Sequence, residues 1–232
     1  VVFAGMLQYD GDLKIPKRYL VDPPNIKNTL SELLVRNGIK QYAVSETQKY
    51  GHVTYFWNGN RLEKFDELLE VFEEVPSDKV PFEQRPWMKA AEITDKVIDA
   101  IKSDKYGFIR ANFPNGDMVG HTGSFQAAKI AVEAVDLCLD RIIKAVDEAG
   151  AILIVTADHG NADEMYEKAK NSENPKPKTA HTLNPVPFII YDKLQKHEII
   201  EGKYGLANVA ATVAKLLDIE KPDMWEDCMI KY

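Results

Sequence analysis

Cysteine is scarce in this 232-residue chain, where Cys138 and Cys228 stand far apart in no metal-binding or redox spacing. That scarcity excludes a disulfide framework and fits a reducing cytosol in which the two thiols are buried or idle. Arginine is also short, with six among the 29 basic residues and no basic cluster. Together with a formal net charge of −7 and a pI near 5.3, this argues against DNA or RNA as a partner. Long apolar runs are lacking as well. The run 151–155 near the middle of the chain is far shorter than the roughly 20 apolar residues a membrane span requires, so no membrane partner is expected. The chain opens VVFAGMLQYD, without an initiator Met, a basic leader or a small-residue cleavage site. The expectation is therefore a cytoplasmic protein with no signal peptide, numbered from inside a longer protein.

A hydrophobic content of 45% is enough for a full core and suits one large domain, or one domain with a small appendage. Leu30, Leu33 and Leu34 predict a helix over 28–36 that stops at Asn37-Gly38, and a short strand over 41–44 follows. The β-branched and aromatic run 52–57 predicts a second strand ending at Asn58-Gly59, with Lys49 in the loop between the two. A helix is expected over 88–103 and a strand over 108–113, closed by Pro114-Asn115-Gly116. The strongest helix, 124–149, has Ser124 as its cap and Gly150 as its stop, with Ile130, Val135, Cys138, Ile142 and Val146 on its apolar face. Residues 151–156 then read as a fully buried strand, 168–178 as a polar surface excursion, 187–191 as a strand and 207–217 as the last helix. The alternation predicts an α/β fold, a mainly parallel sheet flanked by helices, whose ligands collect at the carboxyl ends of strands.

Three of the five histidines stand in Gly- or Thr-flanked loops at predicted strand ends. Asp117 and His121 are four residues apart, a spacing that puts a carboxylate and an imidazole on one side of a helical turn, where both can meet one divalent ion. Alone, such a pair is most often a loop Asp capping a helix beside a half-exposed His. Gly116, Gly120 and Gly123 favour the ligand reading, because they permit close backbone approach. Asp158 and His159 follow the strand 151–156, where adjacent side chains point to opposite sides and reach different atoms of a binuclear centre. His181 is a third imidazole near a strand start. Of the remaining two, His52 is read first as structural, with a place near the site as the alternative, and His197 as solvated. Mixed Asp and His donors without cysteine favour a catalytic ion, Mn, Co, Mg or Zn, over a closed structural zinc site. Two such ions, with a lysine near the transferring group, suit phosphoryl displacement.

Four blocks carry a resemblance: SETQKYGHVTYFWNGN at 45–60, NGDMVGHTG at 115–123, TADHGNADEM at 156–165 and TAHTLNPVPFI at 179–189. Together they closely resemble cofactor-independent (2,3-bisphosphoglycerate-independent) phosphoglycerate mutases of the alkaline phosphatase superfamily. The D-H-G block alone would fit any member of that superfamily, and the ETQKYGHVTYF block separates the mutases from phosphopentomutases. The resemblance implies an alkaline-phosphatase-like fold and interconversion of 3-phosphoglycerate and 2-phosphoglycerate through a phosphoserine, in glycolysis and gluconeogenesis.

By the same resemblance, one metal ion belongs to Asp117, His121 and His181. A second belongs to Asp158 and His159, together with an Asp and the nucleophilic Ser that have no counterpart in this chain. Lys49 would contact the phosphoryl group. Two divalent ions are implied, Mn or Co first with Mg or Zn as alternatives, and no bisphosphoglycerate. Residues 1–25 resemble the end of a transferase domain and its hinge, and residues 26–232 the C-terminal part of the metal-binding domain. The missing N-terminal part is thus an expected partner of a chain that is inactive alone, and the intact protein is expected to be a monomer. The alternatives are a metal-dependent phosphohydrolase and a non-catalytic metal-binding fragment. Since neutral imidazoles bind metal, activity is expected to fall on the acid side of neutrality.

Overall fold

Thr29 accepts a hydrogen bond from the Glu32 amide and so caps helix α1 (Leu30–Arg36) in the computed structural model, which describes residues 2–8, 15–22, 24, 26–168 and 175–231. Gly38, at φ +68°, turns the chain out of α1 and into strand β1 (Gln41–Glu46). A 3-10 turn (Thr47–Lys49) runs directly into the short helix α2 (Tyr50–Val53). Strand β2 (Glu70–Val75), helix α3 (Ala90–Lys102), strand β3 (Phe108–Asn112) and helix α4 (Asn115–Gly120) follow. Helix α5 (Phe125–Ala149) begins at the Ser124 cap and ends at Gly150, where φ is +63°. Beyond it lie strands β4 (Leu153–Thr156), β5 (Tyr166–Glu167), β6 (Lys176–Pro177), β7 (Phe188–Tyr191) and β8 (Glu198–Ile199), helix α6 (Ala207–Leu216) and strand β9 (Ile230–Lys231).

Strands β2, β1 and β3 form a parallel sheet in that order, with Gln41 facing both Glu70 and Phe108. Strand β4 pairs antiparallel with β7, Thr156 opposite Phe188. Side chains alternate across these strands and feed two apolar layers. Tyr42, Val44, Ile109 and Leu153 pack with Ile93, Val97, Ile142 and Val146 of α3 and α5. Phe108 and Ile154 pack on the other side with Leu30 and Leu34 of α1 and Val213 of α6. Helices therefore cover both faces of the sheet, the arrangement the helix and strand alternation predicts.

Several expectations are corrected. Residues 52–57 are not a strand: the Thr54 hydroxyl donates to the Tyr50 carbonyl at 2.8 Å and the Asn58 amide to Thr54 at 2.9 Å, so the segment coils. Burial overrides β-propensity there. The Val53 carbonyl is used by buried Arg110, whose Nε donates to it at 2.8 Å, and Trp57 packs against Phe108. A strand at 70–75 was not foreseen; its Glu70 is buried, with Oε1 accepting from Asn58 Nδ2 at 3.0 Å. Strand β4 is only partly buried rather than fully buried, with Thr156 exposed, and among the described residues it has a strand partner on one edge alone, β7. On α5, Ile130 is exposed, and Ala127, Ala128 and Ala131 line the inner face beside Cys138, Ile142 and Val146. The His197 side chain is 4% exposed, not solvated, with Nε2 2.7 Å from Asp192 Oδ2. Residues 169–174 of the predicted polar excursion lie outside the described residues.

Candidate functional site

Four segments reach the same end of the sheet. The parallel register brings Ser45 of β1 level with Asn112 of β3, so both strands finish at one edge. Lys49 comes three residues after β1, and Asp117 sits in the first turn of α4, just beyond β3. Asp158 and His159 follow β4. His181 arrives from the opposite direction, before β7, and the antiparallel pairing of β7 with β4 places that approach at the same edge. The loop carrying His181 is tied to the loop carrying His159, since the Thr182 amide donates to the Gly160 carbonyl at 2.8 Å. Asp163 braces the junction by accepting from the Thr182 hydroxyl at 3.0 Å and from Asn184 Nδ2 at 2.6 Å.

Asp117 lies at the centre. Its Oδ1 is 3.0 Å from His121 Nε2 and 3.0 Å from His181 Nε2, and the two imidazole nitrogens are 3.1 Å apart. Its Oδ2 is 2.6 Å from Lys49 Nζ. Asn161 Nδ2 adds a contact of 3.2 Å to Oδ1. The predicted one-sided spacing of Asp117 and His121 arises because α4 is a true helical turn, with the His121 amide bonded to the Asp117 carbonyl. His121 Nδ1 donates to the Thr179 carbonyl at 2.6 Å, which orients its Nε2 toward Asp117 and His181. With Nδ1 engaged by Thr179, a neutral His121 would offer the Nε2 lone pair to a cation held beside Asp117 Oδ1. The donor atoms of Asp117, His121 and His181 lie within 4.8 Å of one another, close enough to share one ion.

His159 adjoins this trio. Its ring stacks on His181 with centroids 3.6 Å apart, and its Nε2 is 3.9 Å from Asp117 Oδ1 and 3.6 Å from Asp158 Oδ1. The Asp158 side chain is 60% exposed whereas that of Asp117 is 13% exposed, so the two carboxylates meet different surroundings. Burial pushes the Asp117 carboxyl up, but the Lys49 ammonium and His121 outweigh it, and its pKa is lowered. His52, on α2, has its pKa lowered by burial and then by Lys49, so it feels the site without joining the trio.

The structure therefore brings Asp117, His121, His181 and Lys49 into direct contact, places His159 against them and leaves Asp158 at the exposed rim. Three contributors had no reading from the sequence. Thr179 acts through its backbone carbonyl, which no side-chain pattern reveals. Asn161 and Asp163 stand within the D-H-G block, next to predicted ligands, and that adjacency is the one signal that could have flagged them.

A carboxylate and two imidazoles converging beyond the carboxyl ends of parallel strands occupy the place where ligands collect in α/β folds, and the group could hold a metal ion. Residues 10–221 match the metalloenzyme superfamily, and the chain belongs to it. It is 48% identical over 240 residues, all of this chain and 44% of the relative, to a Leptospira interrogans protein named probable 2,3-bisphosphoglycerate-independent phosphoglycerate mutase. It is likewise 48% identical over 242 residues to the 2,3-bisphosphoglycerate-independent phosphoglycerate mutase of Trypanosoma brucei brucei, again covering 44% of that protein. Its fold is similar to the crystal structure of Leishmania mexicana phosphoglycerate mutase at low cobalt concentration, with a TM-score of 0.93 and 47% identity over 98% of this chain and 44% of that one. The chain spans less than half the length of these relatives and corresponds to their C-terminal part.

Proposed function

We propose that this chain is the C-terminal, metal-holding portion of a 2,3-bisphosphoglycerate-independent phosphoglycerate mutase that interconverts 3-phosphoglycerate and 2-phosphoglycerate. The observation that carries the reading is the approach of His121 Nε2 and His181 Nε2 to Asp117 Oδ1, each at 3.0 Å, with Lys49 Nζ 2.6 Å from the other oxygen of that carboxylate. In this reading Asp117, His121 and His181 hold one divalent ion. Asp158 and His159 hold a second, completed by an Asp and a nucleophilic Ser from the N-terminal part of the intact enzyme. Residues 1–25 are then the end of the intervening transferase domain and its hinge, and residues 26–232 belong to the metal-binding domain.

The three imidazoles suit a borderline ion such as Co or Zn, and the carboxylates beside them also accommodate Mn. Cobalt is supported by the conditions under which the Leishmania relative was crystallised. Bound there, the ions supply Lewis-acid stabilisation of charge on the transferring phosphoryl group. The chain's own residues do the rest. Lys49 is only 9% exposed, so its ammonium acts where charge is poorly screened, and the N–H groups not spent on Asp117 are free to meet phosphoryl oxygens. His121 is held in its ligand tautomer by the Thr179 carbonyl, and the Asp163 brace fixes the loop that carries His181. We place this activity in cytoplasmic glycolysis, without bisphosphoglycerate as cofactor.

Supplying the intact protein with 3-phosphoglycerate and Co2+ or Mn2+ tests the reading. The 2-phosphoglycerate isomer should accumulate to equilibrium, and Lys49→Ala should lower kcat by about 10²–10³-fold, the usual loss for one donor to a transition-state charge. Release of inorganic phosphate without isomer would instead establish a phosphohydrolase.

A further inference from the structure

We propose that Asn161 is a positioning residue that sets the Asp117 carboxylate for cation binding, and that position 120 is glycine to leave room for it. The inference rests on Asp117 being a metal ligand, and it deepens that reading. Asn161 is buried and donates through Nδ2 to two oxygens of the same residue, Asp117 Oδ1 at 3.2 Å and the Asp117 backbone carbonyl at 3.4 Å. Both partners are acceptors, so the amide orientation follows from the contacts: the nitrogen faces Asp117. The other end, Oδ1, is buried and has no hydrogen-bond partner among the described residues. The side chain therefore serves its nitrogen at the expense of its oxygen, an arrangement burial alone does not favour.

Gly120 shows what holds it there. Gly120 lies in α4 and has no positive φ that would require glycine. A Cβ built on it would stand 2.3 Å from Asn161 Oδ1, 2.9 Å from its Cγ and 3.5 Å from its Nδ2, and these are the three nearest atoms. Any side chain at 120 meets Asn161 first and drives it away from Asp117. Asn161 thus belongs to the turn that carries Asp158 and His159 yet is locked onto the helix that carries Asp117 and His121. Its N–H keeps Oδ1 turned toward the two imidazoles while Lys49 keeps Oδ2 on the other side, so the carboxylate cannot rotate freely. An acceptor oxygen can receive such a bond and still ligate a cation, which is how outer partners orient metal ligands.

The test is a double-mutant cycle in the intact protein, reading Co2+ affinity from the visible absorption of the bound ion and folding from the melting temperature of the metal-free form. Asn161→Ala should weaken Co2+ binding by about 10–100-fold. Gly120→Ala should weaken it to a similar degree in the otherwise native protein and change it little once Asn161 is already alanine, because the clash has been removed. Asn161→Ala binding Co2+ as tightly as the native protein, with only its melting temperature lowered, would overturn the proposal. So would Gly120→Ala weakening binding by the same factor in both backgrounds. A native protein that takes Co2+ no better than Asp117→Ala would remove the metal reading itself and this inference with it.

Discussion

Asp117 concentrates the chemistry because each of its oxygens meets a different partner, two imidazole nitrogens on one side and an ammonium on the other. Replacing it with Asn keeps the shape and removes the charge. Asp117→Asn is expected to lower Co2+ affinity at least 100-fold by calorimetric titration, as losing a direct ligand should exceed the 10–100-fold typical of an outer partner. Glu46, on the same edge, gives a pH-dependent prediction. Burial raises its pKa, and its hydrogen bonds, including one from the Lys89 amide at 3.1 Å, offset only part of that. The folded state then binds this proton more tightly than the unfolded chain does, so Glu46 lowers stability as the pH rises through its raised pKa. Glu46→Gln should melt higher than the native protein at pH 7, and the gap should close as the pH falls into the ordinary carboxylate range. A gap of the opposite sign at neutral pH would contradict the assignment. At this scale the meeting of Asp117 and His121 was legible, since their spacing puts both on one side of a helical turn, but the spacing alone does not mark them as metal donors. Thr179 was not legible, because its contribution is a backbone carbonyl brought from 58 residues away.

The elements were legible where local signals and burial agree. Helix α5 begins and ends where Ser124 and Gly150 predict, because a cap and a left-handed stop are local chemistry. Gly150→Ala should cost about 1 kcal/mol in chemical denaturation, since its φ of +63° suits glycine and its nearest neighbour, Leu194 Cδ1, leaves a methyl room at 3.6 Å. Ile142→Ala, deep between α5 and the sheet, should cost about 2–5 kcal/mol by the same measurement. Legibility failed at 52–57, where β-branched and aromatic residues suggest a strand but tertiary contacts with Arg110 and Phe108 impose a coil. It failed again at His197, whose polar neighbours in sequence hide a buried pairing with Asp192.

For the whole molecule, the parallel order β2-β1-β3 and the reversed β7 explain how residues from 49 to 181 meet at one edge. The sheet class was readable from alternation, but the direction of β7 was not, because pairing is a long-range choice that periodicity does not encode. Which loops converge followed from resemblance rather than from pattern. Chelation of the intact protein should abolish isomerisation, and added Co2+ should restore it. The central claim is that Asp117, His121 and His181 hold a catalytic cation, and anomalous diffraction from crystals of the intact protein grown with Co2+ tests it most directly. The account predicts a cobalt peak within bonding distance of Asp117 Oδ1, His121 Nε2 and His181 Nε2. Cobalt bound elsewhere, with those three atoms still in contact with one another and with no ion, would contradict it.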